Sequence, residues 1–185
     1  SPSGKLPFTW ERRWEDNPVH DNYYPNTDSV KADNPYRRVE YNEGLFVGYR
    51  GYERNGIEPL FPFGFGLSYT TFEYGNLQID DVGNGAFDVS FDVTNTGQCD
   101  GSEVVQLYVG DVESSVVRPV KERKGYEKLL LKRGETRRVV IRLGEEAFRQ
   151  YDCVRHDFVV EPGDFEIFVG ASSRDIRLTG RLTVC

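Results

Sequence analysis

Apolar and polar residues alternate strictly along several short stretches in the second half of the chain. In residues 87–94, Phe, Val, Phe and Val alternate with Asp, Ser, Asp and Thr. The same period of two recurs at residues 105–109, 138–143, 165–169 and 176–179. Because successive side chains of a strand point to opposite faces of a sheet, each stretch predicts a strand with one buried face.

Turn-forming residues separate these stretches. They are Gly83-Asn84-Gly85, Asn95-Thr96-Gly97, Arg133-Gly134 and Pro162-Gly163-Asp164, all rich in residues that tolerate tight turns. About seven short strands separated by turns are typical of an antiparallel β-sandwich of the immunoglobulin type. We predict such a sandwich over residues 67–185, with one helical turn near residues 145–148.

The first 66 residues have a different character. Between Trp14 and Val39, aromatic residues are mixed with Pro and Asn without any periodicity, which excludes long helices and predicts an irregular loop at residues 15–39. The apolar and aromatic stretch from Tyr41 to Tyr52 has strand propensity, and we predict a strand there. We place a domain boundary between residues 66 and 67.

The chain of 185 residues has a net charge of −7, which argues against a nucleic-acid partner because phosphate binding needs clustered Lys and Arg. The basic residues Arg118, Lys121, Arg123 and Lys124 form a local cluster. We interpret it as a loop that is either solvated or engaged in interdomain ion pairs. No apolar run reaches the length of a membrane span, so we expect no membrane partner.

The sequence contains no Met and three Cys. The lack of Met leads us to expect a fragment or a processed chain. The Cys spacing fits no zinc pattern, and His20 has no Cys or second His nearby, so we predict no metal site and no cofactor. A Cys99–Cys153 bridge stays open, although we favour ordinary thiols.

Several motifs resemble the fibronectin type III-like domain that ends many family 3 glycoside hydrolases. These motifs are, in order, residues 93–97, 101–109, 118–121, 124–127, 134–136 and 163–165. Upstream, residues 2–9, 43–50 and 61–70 resemble the closing segments of that family's α/β sandwich domain. The resemblance implies a mainly β chain, in which a fibronectin type III-like sandwich follows the closing strands and loops of an α/β sandwich domain.

The resemblance also implies a function, namely that of a β-glucosidase-type retaining glycoside hydrolase, which releases sugars from the non-reducing ends of β-linked glycosides. Such an enzyme needs a nucleophilic Asp on a barrel domain and an acid/base Glu in the α/β sandwich domain, and neither family motif occurs in this sequence. We therefore expect both catalytic residues upstream of Ser1, no catalytic residue in this chain, and no activity of the chain by itself. Family members imply a secreted or periplasmic location.

Aromatic residues of the first 66 positions are the candidate site residues. Trp14, Tyr23 and Tyr24 are candidates for the edge of a substrate entrance, because aromatic rings stack on sugar faces; the alternative is that they pin an irregular loop to a neighbouring domain. For a second group we predict packing between the domains, and its members are Phe61, Phe63, Phe65 and Tyr69.

The expected partners follow from this interpretation. They are the barrel and α/β domains of the same polypeptide and a β-linked oligosaccharide or glycoside, and a homodimer stays possible. A different class of function is a stand-alone β-sandwich that binds carbohydrate or a cell surface, since sandwich folds serve many functions. The sequence weighs against this alternative because no row of outward-facing Trp or Tyr appears on the predicted strands.

Overall fold

The computed structural model describes residues 1–23 and 41–185, and of Tyr23 only the backbone. The chain is mainly β, as predicted. Its strands are β1 (Phe72–Gly83), β2 (Ala86–Asn95), β3 (Gly101–Asp111), β4 (Glu122–Leu131), β5 (Thr136–Leu143), β6 (Gln150–Asp152), β7 (Asp157–Val159), β8 (Gly163–Gly170) and β9 (Ile176–Val184). The helices of the described part are short: α1 (His20–Tyr23), α2 (Tyr49–Arg54) and two 3₁₀ turns, Trp14–Asp16 and Glu145–Ala147.

Seven of these strands form two facing antiparallel sheets. One sheet has the order β1-β2-β5 and the other the order β4-β3-β8-β9, while β6 and β7 pair separately as a small hairpin. Each neighbouring pair within the two sheets is antiparallel. This arrangement confirms the predicted immunoglobulin-type sandwich.

The core lies between the two sheets and is formed by the residues that the period of two assigned to buried faces. Val89, Phe91 and Val93 of β2 are completely buried, and so are Leu107 of β3 and Ile167 of β8. They belong to one contiguous apolar cluster that draws residues from both sheets. The helical turn predicted near residues 145–148 is confirmed as the 3₁₀ turn Glu145–Ala147. Phe148 follows this turn, and its buried ring packs in the same cluster.

Strand β1 lies outside the predicted strands because a bulge changes its phase. Its register with β2 shifts between Gly75 and Gln78, and Asn76 in the bulge has a φ of 53°. Tyr74 and Leu77 both pack against the core. In a regular strand, residues three positions apart would lie on opposite faces of the sheet. An inserted residue reverses which side chains face inward, so no single period of two describes this strand.

The strand predicted at residues 41–52 is wrong, because the chain turns and then forms helix α2 there. Gly48 enters this helix with a φ of 59°, and Gly51 within it approaches its neighbours closely. A Cβ on Gly51 would lie 2.3 Å from the carbonyl oxygen of Phe46 and 2.8 Å from Cβ of Pro18. Tertiary packing that only glycine permits therefore overrides the local strand propensity.

One further expectation needs correction. Arg123 and Lys124 of the basic cluster lie in β4 rather than in a loop, because β4 pairs with β3 from Glu122 onwards. The three cysteines are free and exposed, which confirms the favoured interpretation of ordinary thiols over a Cys99–Cys153 bridge.

Candidate functional site

The first 66 residues are here called the N-terminal segment, and residues 6–10 and 61–65 of this segment form an extended ribbon beside the sandwich. Two stretches of this segment run side by side: the backbone N–H of Leu6 donates to the carbonyl of Phe65, and that of Trp10 donates to the carbonyl of Phe61, both at 2.8 Å. Phe8, Trp10, Phe61 and Phe65 form a chain of ring contacts with centroid distances of 6.0, 6.2 and 4.9 Å. Hydrogen bonding and ring packing together hold the ribbon in one register.

Gln106 joins this ribbon to the sandwich. Its side chain lies on the outer face of β3, opposite the core-facing Leu107, and is nevertheless only 1% exposed. Gln106 Nε2 donates to the carbonyl of Gly64 at 3.1 Å and to that of Ala171 at 2.8 Å, while its Oε1 accepts a hydrogen bond from the Tyr108 hydroxyl at 2.7 Å. Three hydrogen bonds therefore satisfy a buried amide where the N-terminal segment covers β3.

A shallow groove lies beside this contact, with a volume of about 390 Å³ and walls that include Lys5, Phe65, Arg174 and Asp175. Its charged groups already have partners within the chain. Lys5 Nζ is 2.7 Å from Glu103 Oε1, Arg174 donates to the carbonyl of Ile57 at 3.0 Å, and Asp175 accepts from Arg177. The groove thus consists of structural ion pairs and hydrogen bonds rather than of groups poised for chemistry.

Helix α2 makes a second contact with the sandwich, through charges. Glu53 Oε1 lies 2.5 Å from Lys121 Nζ, and their side chains are only 5% and 10% exposed. Arg50 Nη2 lies 2.9 Å from Glu122 Oε1. Tyr49 stacks on Phe63 at 5.0 Å, and its hydroxyl oxygen accepts the backbone N–H of residue 123 at 2.9 Å. The basic cluster therefore supplies ion pairs to the N-terminal segment, one of the two interpretations given by the sequence.

Among the carboxyl groups of the described residues, Glu53 has a pKa that is raised by burial. The hydrogen bond from Lys121 and the charge of Lys121 act in the opposite direction. A buried acid with a raised pKa is what a general acid requires. Glu53, however, is enclosed and faces an ammonium group, whereas retaining glycoside hydrolysis needs two carboxyl groups about 5–5.5 Å apart. Its surroundings fit a structural ion pair.

Of the three candidates for a substrate entrance, Trp14 is the one whose side chain the structure describes. Trp14 begins a 3₁₀ turn, is 40% exposed and contacts the His20 ring at a centroid distance of 5.8 Å. The side chain of Tyr23 and the whole of Tyr24 lie outside the described residues. Their role at a substrate entrance stays a prediction.

The four residues predicted to pack between domains occupy different environments. Phe63 lies between Tyr49 and the guanidinium of Arg123, which is 5.0 Å from the Phe63 ring centroid. Phe61 and Phe65 pack on each other at 4.9 Å, whereas the side chain of Tyr69 is exposed. Packing between the domains stays a prediction for all four.

Over residues 1–23 and 41–185, no group of three or more His, Cys, Asp or Glu side chains is arranged to hold a metal ion. The same residues contain no helix with the length and hydropathy of a membrane span.

Comparison with known proteins identifies the domain and its context. Residues 103–173 match the family model of the fibronectin type III-like domain. The chain is 50% identical over 181 residues to thermostable beta-glucosidase B of Acetivibrio thermocellus, covering 96% of this chain and 23% of that protein. It is 44% identical over 185 residues to beta-glucosidase BoGH3A of Bacteroides ovatus, covering 97% of this chain and 24% of that protein.

Solved structures agree. The GH3 beta-glucosidase of Bifidobacterium adolescentis superposes with a TM-score of 0.89 at 37% identity, over 99% of this chain and 26% of that one. Beta-glucosidase 3B of Thermotoga neapolitana superposes with a TM-score of 0.87 at 38% identity, over 100% of this chain and 25% of that one. The chain thus spans about a quarter of the length of the relatives that it matches. It belongs to the family 3 glycoside hydrolases of the β-glucosidase type and corresponds to their C-terminal part, including the fibronectin type III-like domain.

Proposed function

We propose that the protein containing this chain is a retaining glycoside hydrolase that releases sugars from the non-reducing ends of β-linked glycosides. In this proposal, residues 1–185 brace the catalytic domains and carry neither the nucleophile nor the acid/base. The observation that supports it most strongly is 50% identity with a beta-glucosidase over 96% of the chain, through the N-terminal segment as well as the sandwich. A free-standing binding sandwich would not require the N-terminal segment to match.

The carboxyl groups of the described residues support a non-catalytic role. Glu53 is buried but neutralised by Lys121. Hydrogen bonds from Arg142 and from Asn76 hold the pKa values of Asp88 and Asp92, respectively, below their usual range. A lowered pKa favours a permanent anion in an ion pair, whereas an acid catalyst needs a group that keeps its proton near neutral pH.

The aromatic ribbon supports the bracing role. Phe8, Trp10 and Leu60 on this ribbon are about half exposed, at 51%, 49% and 47%. Contiguous exposed apolar residues mark surfaces that contact another protein surface. We propose that the remainder of the polypeptide covers this ribbon, with the domain boundary between residues 66 and 67 and with Phe61, Phe63 and Phe65 packed near the junction.

A chimera tests the proposal. Residues 1–185 replace the corresponding part of the Acetivibrio thermocellus enzyme, and hydrolysis of p-nitrophenyl β-glucoside is measured for the chimera, for the isolated chain and for the truncated parent. We expect activity from the chimera, and none from the isolated chain or the truncated parent. Turnover by the isolated chain, or a folded chimera without activity, would contradict the proposal.

Affinity electrophoresis of the isolated chain on soluble β-glucans tests the binding-module alternative. The exposed aromatic residues of the sandwich lie on separate elements, Tyr126 on β4 and the paired rings of Tyr151 and Phe158 on the β6–β7 hairpin. They form no continuous row on one sheet. This separation supports the bracing role over a carbohydrate-binding surface. We expect unretarded migration, and clear retardation would favour the alternative.

A further inference from the structure

Helix α2 contacts different parts of the chain through different sides. Toward the sandwich, it presents Glu53 to Lys121 and Arg50 to Glu122, with N–O distances of 2.5 and 2.9 Å. The ammonium group of Lys121 also lies 5.9 Å from the ring centroid of Tyr108, a residue of β3. One side of α2 is therefore fixed to the sandwich by buried charges.

The other side of α2 contacts Pro18 of the N-terminal segment. The backbone of Gly51 approaches Pro18 so closely that an added Cβ would lie 2.8 Å from Cβ of Pro18. The next residue, Tyr52, is 2% exposed, and burial, followed by the charges of Glu11 and Asp16, raises the pKa of Tyr52 to about 12. Pro18 thus contacts α2 directly, and Glu11 and Asp16 lie near enough to act on Tyr52 through their charges.

Residues 11–18 have little regular structure of their own to fix their position. They contain the 3₁₀ turn Trp14–Asp16, whose N-cap Arg13 makes no side-chain capping hydrogen bond. A single turn of helix is marginal without tertiary contacts. Their place on the molecule therefore depends on tertiary contacts, one of which joins Pro18 to α2, and α2 is in turn joined to the sandwich by ion pairs.

We propose that α2 is a positioning element and that the Glu53–Lys121 pair helps to set the position of residues 14–18, with Trp14, relative to the sandwich. Lys121 and Glu53 are thereby positioning residues for the predicted edge of the substrate entrance. This last step rests on the proposed function and on the predicted role of Trp14.

The chain carries its own probe for this proposal. Its two Trp residues are Trp10 and Trp14, so tryptophan fluorescence reports on the N-terminal segment, and far-UV circular dichroism reports mainly on the strands of the sandwich. Urea unfolding of the isolated chain is followed by both signals at low micromolar concentration. For the unsubstituted chain we expect coincident transitions, as for one cooperative unit.

Glu53→Gln and Lys121→Met each leave one buried charge without its partner. We expect the fluorescence transition to move to lower urea and to separate from the circular dichroism transition in both variants. The double variant has no buried charge at this position, so its shift should be smaller than the sum of the single shifts. Asp88→Asn, which breaks the more exposed pair with Arg142, is the matched control and should keep the two transitions coincident.

Coincident transitions in both single variants, or additive shifts in the double variant, would overturn the positioning role of the pair. In the chimera, Glu53→Gln should raise KM on the order of tenfold with kcat nearly retained. The substitution displaces the predicted edge of the substrate entrance, whereas the reacting groups lie elsewhere and keep their positions. An unchanged KM would overturn the link to the substrate entrance. An inactive unsubstituted chimera would instead refute the proposed function, while the fluorescence result would still decide the positioning role.

Discussion

The hydroxyl of Tyr108 donates a 2.7 Å hydrogen bond to Oε1 of Gln106 on the outer face of β3. That face is buried because the N-terminal segment covers it, with the carbonyl of Gly64 accepting from Gln106 Nε2. A buried amide is stabilising only when its donors and acceptors are satisfied. The pair therefore makes the stability of the sandwich dependent on the position of the segment.

Gln106→Ala should lower the free energy of unfolding by about 2–4 kcal/mol, because it removes three hydrogen bonds and leaves buried polar groups unsatisfied. Urea unfolding monitored by circular dichroism measures the loss. Gln78→Ala is the control, since Gln78 lies on an exposed position of β1 and accepts one exposed hydrogen bond from Arg138, and should cost about 0.5 kcal/mol. Equal losses in the two variants would show that burial of Gln106 contributes nothing.

Gly64→Ala should be more damaging than Gly134→Ala. Both glycines have a positive φ, 82° and 74°, so the two variants share the backbone cost of a side chain in that conformation. A Cβ at position 64 would lie 2.2 Å from Gln106 Oε1, whereas one at position 134 meets no atom within 4 Å. We expect the difference in thermal midpoint to report this clash, and similar midpoints would refute it.

Removing the hydroxyl group should have opposite consequences at two buried tyrosines. The Tyr74 hydroxyl has no hydrogen-bond partner among the described residues, and burial raises its pKa. Tyr74→Phe should therefore leave stability unchanged or increase it, because an unsatisfied polar group leaves the interior. Tyr108→Phe removes a formed hydrogen bond and should cost about 1–2 kcal/mol. Chemical unfolding of both variants checks this, and the reverse order would contradict the hydrogen-bond assignments.

Acid should weaken the fold through carboxylates held in ion pairs. The hydrogen bond from Arg177 holds the pKa of Asp175 below its usual range. A carboxyl group whose pKa is lower in the folded state stabilises the fold above its unfolded pKa of about 3.9, and this contribution disappears as the pH falls through the folded value. Asp175→Asn should therefore be less stable than the parent at pH 7 and approach it in stability as the pH falls below the unfolded pKa of about 3.9.

Urea unfolding at several pH values measures that convergence. Glu127→Gln, at an exposed position of β4, is measured alongside it as the control for the loss of one negative charge. Glu53 contributes with the opposite sign, since burial raises its pKa: its contribution is present at low pH and is lost as the pH rises through the folded value. A constant difference between Asp175→Asn and the parent from pH 7 to pH 3 would contradict the ion-pair account.

The sequence predicted the parts of the fold that depend on a local repeat. The inward residues of β2, β3, β5 and β8 follow a period of two because each strand has one face on the core. Strand β1 was not predicted, because its bulge changes which side chains face the core between Tyr74 and Leu77. Strand β4 was not predicted, because it is an edge strand whose middle positions, from Tyr126 to Lys128, are all exposed. Buried and exposed residues therefore do not alternate there.

The site was less accessible to sequence reasoning because its contacts are long-range. Lys121 was recognisable as an ion-pair candidate, but its partner Glu53 is 68 residues away, and no local pattern connects them. Gln106 lies on a face of β3 that would be exposed in an isolated sandwich. The amide of Gln106 is buried because the N-terminal segment passes over that face, and it joins the sandwich to the segment by donating to the carbonyl of Gly64. The aromatic character of Phe61, Phe63 and Phe65 was visible, whereas their separate environments were not.

The central claim, that this chain supports catalysis without supplying a catalytic residue, is tested most directly by covalent trapping. A retaining enzyme forms a glycosyl–carboxylate intermediate, which a 2-deoxy-2-fluoro-glucoside inactivator arrests. The active chimera is inactivated and digested, and the labelled peptide is located by mass spectrometry. We predict that the adduct lies on a peptide contributed by the Acetivibrio thermocellus enzyme and that every peptide of residues 1–185 is unlabelled. A stoichiometric adduct on an Asp or Glu of residues 1–185 would contradict the account.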